Sequence, residues 1–233
     1  GFFASSLINL FGRGGAAHPL PLLQITLPVG ISFFPFQALS YVIDVYRGSE
    51  EPAPLLDFAV FLAFFPQLVA GPIVRTSEFF PQLHSKRDPR NVEAVEAFSL
   101  IAAGLFKKVV VANTLATSLV DPVFANPEAF SAVEVLFAVY GYAVQIYSDF
   151  SGYTDIAIGV ALLMGFRFPQ NFDHPYQAAT LQDFWRRWHM TLSRWLRDYL
   201  YIPLGGNRGG PTGADRHLLV AMVLGGRVHG RTP

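Results

Sequence analysis

The amino-acid sequence predicts an all-α, multi-pass transmembrane helix bundle with one amphipathic helix lying along the membrane surface. Three observations predict it. Hydrophobic residues make up 52% of the 233 positions, aromatics 15% and charged residues only 15%. Mean hydropathy is positive, a composition that belongs to integral membrane proteins. The apolar residues come in runs near the length that crosses a bilayer as helix, about 20 residues. Finally, the stretch 183–210, DFWRRWHMTLSRWLRDYLYIPLGGNRGG, sets Trp185, Trp188, His189, Leu192, Trp195, Leu196 and Tyr199 at i, i+3, i+4, i+7 spacing, with Arg186, Arg187, Arg194, Arg197 and Asp198 opposite. A basic helix rich in Trp and Tyr suits a membrane–water interface, where the rings meet acyl chains and the arginines face water and anionic groups.

The elements follow in chain order. The opening run GFFASSLINLFG has no basic n-region and begins on Gly1, so it is read as the end of a membrane helix whose start is missing, not as a signal peptide. Residues 20–46 are apolar except for Asp44, and Pro28, Gly30 and Pro35 predict a kinked or broken helix. Residues 55–74 form a second candidate span, interrupted by Pro66, Gly71 and Pro72. Residues 75–91 are polar and basic, which places them on the cytoplasmic side.

In 92–120 the adjacent Lys107 and Lys108 favour two shorter elements over one span, because paired cations at mid-helix are costly in hydrocarbon. Residues 121–128, DPVFANPE, read as a loop, and 129–150 and 152–168 as two apolar segments joined at YSDFSGYTD. The amphipathic helix is expected over 181–201. The last apolar run, LLVAMVLGG, is too short to cross a membrane alone. No repeat, low-complexity tract or linker divides the chain.

Zero net charge argues against a nucleic-acid partner. The absence of cysteine removes disulfides, a thiolate nucleophile and Cys-based metal sites, and no metal is expected. His189 has two readings, a buried histidine that anchors its helix, or a general base or orienting donor facing the bundle interior. His229, at the end of an apolar run behind Gly225 and Gly226, is the second candidate. The glycines around Asn207 and Arg208 read equally as a phosphate nest or as a plain turn; no GK[ST] follows, so they are not a Walker loop. Asp149 and Asp155 are expected to cap helices or hold tyrosines and arginines in preference to binding an ion. Broken helices with intramembrane Asp also fit a polytopic transporter, although such proteins often carry paired repeats.

The run WRRWHMTLSRWLRDYLYIPLGGNRGG resembles the membrane-bound O-acyltransferases, in particular the bacterial branch that includes the alginate O-acetyltransferase membrane subunit and the D-alanyl transfer protein of teichoic acids. LPVGISFFPFQALSYVIDVYRG (27–48), FFPQLVAGPIVRTSEFFPQL (64–83), YGYAVQIYSDFSGYTDIAIGVALLMGF (140–166) and NFDHPY (171–176) resemble the same branch. The resemblance implies a single membrane-bound O-acyltransferase domain over 1–233, incomplete at both ends, in a bacterial plasma membrane. It implies transfer of an acyl group, acetyl being the expected one, from a cytoplasmic thioester to hydroxyls of an exported polysaccharide such as alginate. The donor would be acetyl-CoA or an acyl-carrier thioester, with no permanently bound cofactor, and a second, extracytoplasmic acyltransferase would complete delivery. D-alanyl transfer to teichoic acid, or an inactive fragment, are the alternatives.

The family's Trp-His-[Ile/Met]-[Ser/Thr]-Leu-Ser histidine maps onto His189. Its catalytic Leu-Trp-His-Gly histidine maps onto His229, with Arg227 and Val228 standing where Leu and Trp are expected. The resemblance thus implies His229 as base and His189 as support in a common cavity. If the amphipathic helix lies on the cytoplasmic face, cysteines substituted for Arg187 and Arg194 should react with an impermeant thiol reagent from that side; labelling from the outside alone would reverse the orientation.

Overall fold

The computed structural model describes residues 34–68, 70–86, 92–208 and 210–229, with the backbone alone at 211, 212, 214 and 224–229. All regular structure among the described residues is helical, as expected. The first helices are short. α1 spans Phe34–Tyr46, α2 Leu55–Ala63 and α3 Thr76–His84. A 3₁₀ turn at Phe65–Gln67 follows α2, and an extended segment, residues 71–75, leads into α3. The candidate span at 55–74 is therefore a short helix followed by irregular chain. Pro66 starts the 3₁₀ turn, and at Gly71 a Cβ would meet the Gln67 Cα at 2.6 Å. The polar stretch 75–91 carries α3, opened by the Glu78 carboxylate, which accepts the Arg75 N–H at 3.3 Å.

The middle of the chain is a hairpin of two long helices. α4 (Ala94–Leu105) runs through a π-helical stretch (Phe106–Ala112), α5 (Asn113–Leu115), a second π stretch (Ala116–Val120) and α6 (Asp121–Ala125) as one uninterrupted rod. The split expected at Lys107 and Lys108 is absent because both cations are neutralised: Lys107 pairs with Asp155 and Lys108 with Asp149, both on the facing helix. These aspartates hold lysines, not the tyrosines, arginines or helix ends anticipated for them. The loop expected at 121–128 is helical in its first half, where α6 carries the rod past Pro122 to Ala125.

The facing helix is α7, Ala132–Leu163, one element where two were expected. Its 32 residues extend about 48 Å at 1.5 Å per residue. Ser131 caps it, accepting the Glu134 N–H at 3.4 Å while Glu134 accepts the Ser131 N–H at 2.7 Å. Gly152 does not break it because the glycine is needed for contact. A Cβ on Gly104 would meet the Gly152 carbonyl oxygen at 2.5 Å, and a Cβ on Gly152 the Gly104 oxygen at 2.8 Å. At Gly159 the obstruction is the Ala97 oxygen at 2.7 Å. Small residues let the two backbones touch, a packing mode common between membrane helices.

No helix among the described residues is long and apolar enough to cross a membrane. The outer faces of the hairpin are nevertheless apolar and exposed, with Phe98, Phe106, Val109 and Val110 on the rod and Leu136, Phe137, Val139 and Tyr140 on α7.

The core has two clusters joined by the extended segment. Phe61, Phe64, Val74, Phe79, Ala161, Phe166 and Phe168 form one, with Phe79 and Phe166 stacked at 4.9 Å. Phe36, Ile73, Leu192, Trp195 and Tyr199 form the other. Val74 and the adjacent Ile73 point to different clusters, the alternation of an extended chain.

The helix expected over 181–201 is two helices, α8 (Leu181–Arg187) and α9 (Met190–Leu196), continued by a π turn at Arg197–Tyr201. α10 spans Gly210–His229 and begins within the glycine loop, well before the apolar run. Replacing Gly104 or Gly152 by Ala should lower stability by about 1–3 kcal/mol through overpacking, while Gly213→Ala, with nothing within 4 Å, should leave it unchanged or higher. Thermal melts of the purified protein in detergent check this; equal midpoints for all three would refute the close contact.

Candidate active site

His189 sits at the break between α8 and α9, in the left-handed conformation at φ 45° and ψ 54°. A residue other than glycine adopts this backbone at a cost of about 1–2 kcal/mol, with His among the more tolerant types, so the surroundings must impose it. They do so through Asn171. Its carbonyl oxygen accepts the Met190 N–H at 2.9 Å, and its side-chain Oδ1 accepts the Thr191 N–H at 3.2 Å and the Thr191 hydroxyl at 2.8 Å. These are the first two amides of α9, which no helix can satisfy internally. Thr191 Oγ1 in turn accepts the Ile73 N–H at 3.0 Å, and the Asp173 N–H donates to the Arg187 oxygen at 3.0 Å. Three separate stretches, around Ile73, Asn171 and His189, are thus tied at one point. Asn171, His189 and Thr191 are all buried.

The imidazole lies in an aromatic setting. Phe150 of α7 meets it edge-on at 4.8 Å and Phe172 lies at 6.4 Å. Trp188 points elsewhere, stacked on Phe184 at 5.5 Å and edge-on to Phe172 at 5.1 Å. Beside Trp188 a cleft of about 200 Å³ is lined by Tyr147, His174, Pro175, Tyr176 and Gln177. The predicted stripe is therefore divided: Leu192, Trp195 and Tyr199 enter the core, Trp195 donating its Nε1–H to the Phe36 oxygen at 2.9 Å, whereas Trp185 is exposed.

The face expected to meet water and anionic groups is partly paired within the protein. Arg194 bonds Glu78 at 3.0 Å and Arg75 bonds Asp198 at 2.7 Å. Tyr199 donates to Asp44 at 2.5 Å, under the guanidiniums of Arg75 and Arg47 at 5.2 and 5.6 Å from its ring centre. Burial raises the Tyr199 phenol, and the bond to Asp44 raises it further. Burial also pushes the Asp198 carboxyl up, but Arg197 and Arg75 outweigh it and hold the group below its ordinary value.

His229 ends α10, and its side chain lies outside the described residues, so the geometry does not bring the two histidines together or hold them apart. The glycine loop is a turn: Gly205 and Gly206 have φ of 122° and 53°, and the His217 ring bonds the Gly206 oxygen at 3.1 Å. Asn171, Thr191 and Phe150 were not singled out by sequence, although Asn171 opens the NFDHPY block and Thr191 lies within the histidine motif.

Comparison with known proteins adds the family. The family model described as MBOAT, membrane-bound O-acyltransferase family, matches residues 31–225. "Probable alginate O-acetylase AlgI" of Pseudomonas aeruginosa is 46% identical over 230 residues, 97% of this chain and 42% of the relative. "Peptidoglycan O-acetyltransferase" of Helicobacter pylori is 41% identical over 237 residues, 89% of this chain and 44% of the relative. "Teichoic acid D-alanyltransferase" of Streptococcus thermophilus is 32% identical over 181 residues, 76% of this chain and 44% of the relative. The chain spans less than half the length of these curated relatives.

A carboxyl depressed in the folded state contributes stability that is complete above its unfolded pKa and is lost as pH falls through the folded one. Asp198 should therefore weaken the fold below about pH 4. Asp198→Asn should destabilise the protein at neutral pH by about 1–2 kcal/mol, lowering its thermal midpoint, and make the acid decline shallower; an unchanged pH profile of melting would refute this.

Proposed function

Since the chain belongs to the membrane-bound O-acyltransferase family, we propose that it works as an O-acyltransferase, passing an acetyl group from a thioester donor toward hydroxyls of an exported polysaccharide. The observation that carries this reading is the buried His189, held at a fixed hinge in an aromatic setting inside the matched region. In the reaction a hydroxyl oxygen adds to the thioester carbonyl as an imidazole takes its proton; collapse forms the ester, breaks the C–S bond and releases the thiol, which recovers a proton. A general base of this kind contributes about 10²–10⁴-fold. His229 is the base in this reading and His189 the supporting group, the two sharing a cavity. The donor is acetyl-CoA or an acyl-carrier thioester, and no resident cofactor is required.

The acceptor follows from the relatives' names. Likeness to alginate O-acetylases at 45% and 46% identity, against 32% for the D-alanyltransferase, favours alginate, and the peptidoglycan O-acetyltransferase shares the chemistry of a glycan hydroxyl. D-alanyl transfer to teichoic acid is the second reading, supported by the weaker likeness. The protein works in the bacterial plasma membrane as a multi-pass protein beside an extracytoplasmic acyltransferase that completes delivery. The exposed apolar faces of the hairpin, a surface unfavourable in water and suited to acyl chains, support placement in a bilayer.

In the full-length protein, His229→Ala should reduce acetyl transfer by about 10²-fold or more, and His189→Ala should weaken it less, with folding intact. Acetyl incorporation into polysaccharide by membranes carrying each variant measures this. Full activity in His229→Ala would remove that residue from the mechanism.

A further inference from the structure

We propose that Asn171 and Thr191 are positioning residues for His189, a proposal that rests on the acyltransferase reading above. The directions of the bonds around them are forced. The backbone N–H of Ile73 and of Thr191 can only donate. Because the Thr191 hydroxyl accepts from Ile73 at 3.0 Å, its one proton is directed to Asn171 Oδ1 at 2.8 Å. That same Oδ1 also takes the Thr191 N–H, so the atom there is the amide oxygen and not the nitrogen. Asn171 Nδ2 consequently faces the other way, buried and with no partner among the described residues.

Removing one member disturbs all the others. The relay begins at a buried extended segment that belongs to no sheet, crosses the Thr191 hydroxyl and ends on a side chain whose own carbonyl holds Met190. With Met190 and Thr191 both held from outside their helix, the chain can leave α8 and turn left-handed at His189 instead of continuing as helix. The residue after Asn171, Phe172, contributes one wall of the imidazole's setting. A single two-residue segment therefore sets both the backbone direction of His189 and the ring it leans on. Valine at 191 keeps the shape of threonine but can neither accept from Ile73 nor donate to Asn171; serine keeps both abilities.

The test uses the full-length protein in membrane vesicles with its partner proteins. Amide hydrogen exchange over residues 188–192 is read beside initial rates of acetyl transfer from acetyl-CoA to alginate. Thr191→Val and Asn171→Ala should lose exchange protection in this stretch and drop kcat about 10-fold, less than the roughly 10² that a misplacement at the reacting groups themselves can cost and no more than His189→Ala does, with KM little changed. Thr191→Ser should restore protection and rate. Protection intact in both Thr191→Val and Asn171→Ala would overturn the clamp. Protection lost with kcat unchanged, or failure of Thr191→Ser to restore what Thr191→Val loses, would overturn the positioning role. Full activity in His189→Ala would instead overturn the reading of His189 on which the proposal rests, while the exchange arm still judges the clamp itself.

Discussion

The backbone contact between the rod and α7 is the constraint on which the remaining architecture depends. Where Gly104 and Gly152 meet, neither helix has room for a side chain, so the two backbones come into direct contact. That contact settles which way α7 is rotated. With its glycines turned to the rod, α7 presents Tyr147, Phe150 and Thr154 to the irregular half of the molecule, where Phe150 touches His189 and Thr154 bonds the Phe150 and Ala70 oxygens. The short helices have no comparable contact of their own and are ordered against this wall.

Backbone polarity is the second problem the fold has to solve. The chain from Gly71 to Val74 is extended and buried with no neighbouring strand, and an unpaired amide there would cost about 1–3 kcal/mol. A side chain supplies what a sheet would have supplied, Thr191 accepting the Ile73 N–H, and Trp195 ties in α1 by donating to the Phe36 oxygen. These bonds cross between sequence-distant stretches, so they also act as the long-range ties of the molecule.

Sequence made the helical class and the burial of His189 legible because both leave a composition or pattern trace. It did not reveal where helices end. Lys107 and Lys108 argued for a break only so long as their partners on α7 were unknown, and Gly152 looked like a joint because glycine breaks isolated helices and serves equally well where helices touch. Conversely, the periodicity of Trp185 through Tyr199 suggested one helix, yet Asn171, remote in sequence, supplies the bonds that stop it at Trp188. The apolar stripe was correct for Leu192, Trp195 and Tyr199, which follow the break, and failed for Trp185, which precedes it. Each failure concerns a tertiary partner that local pattern cannot encode.

The lysine–aspartate pairs couple the two helices of the hairpin. Neither helix of the hairpin is electrically neutral along its middle by itself, since the rod brings Lys107 and Lys108 and α7 brings Asp149 and Asp155. Paired, the four charges cancel, and the energy barrier to entering hydrocarbon falls for the pair while remaining high for either member. The two helices are therefore one electrostatic unit: drawing the rod away from α7 would leave four charges uncompensated at once.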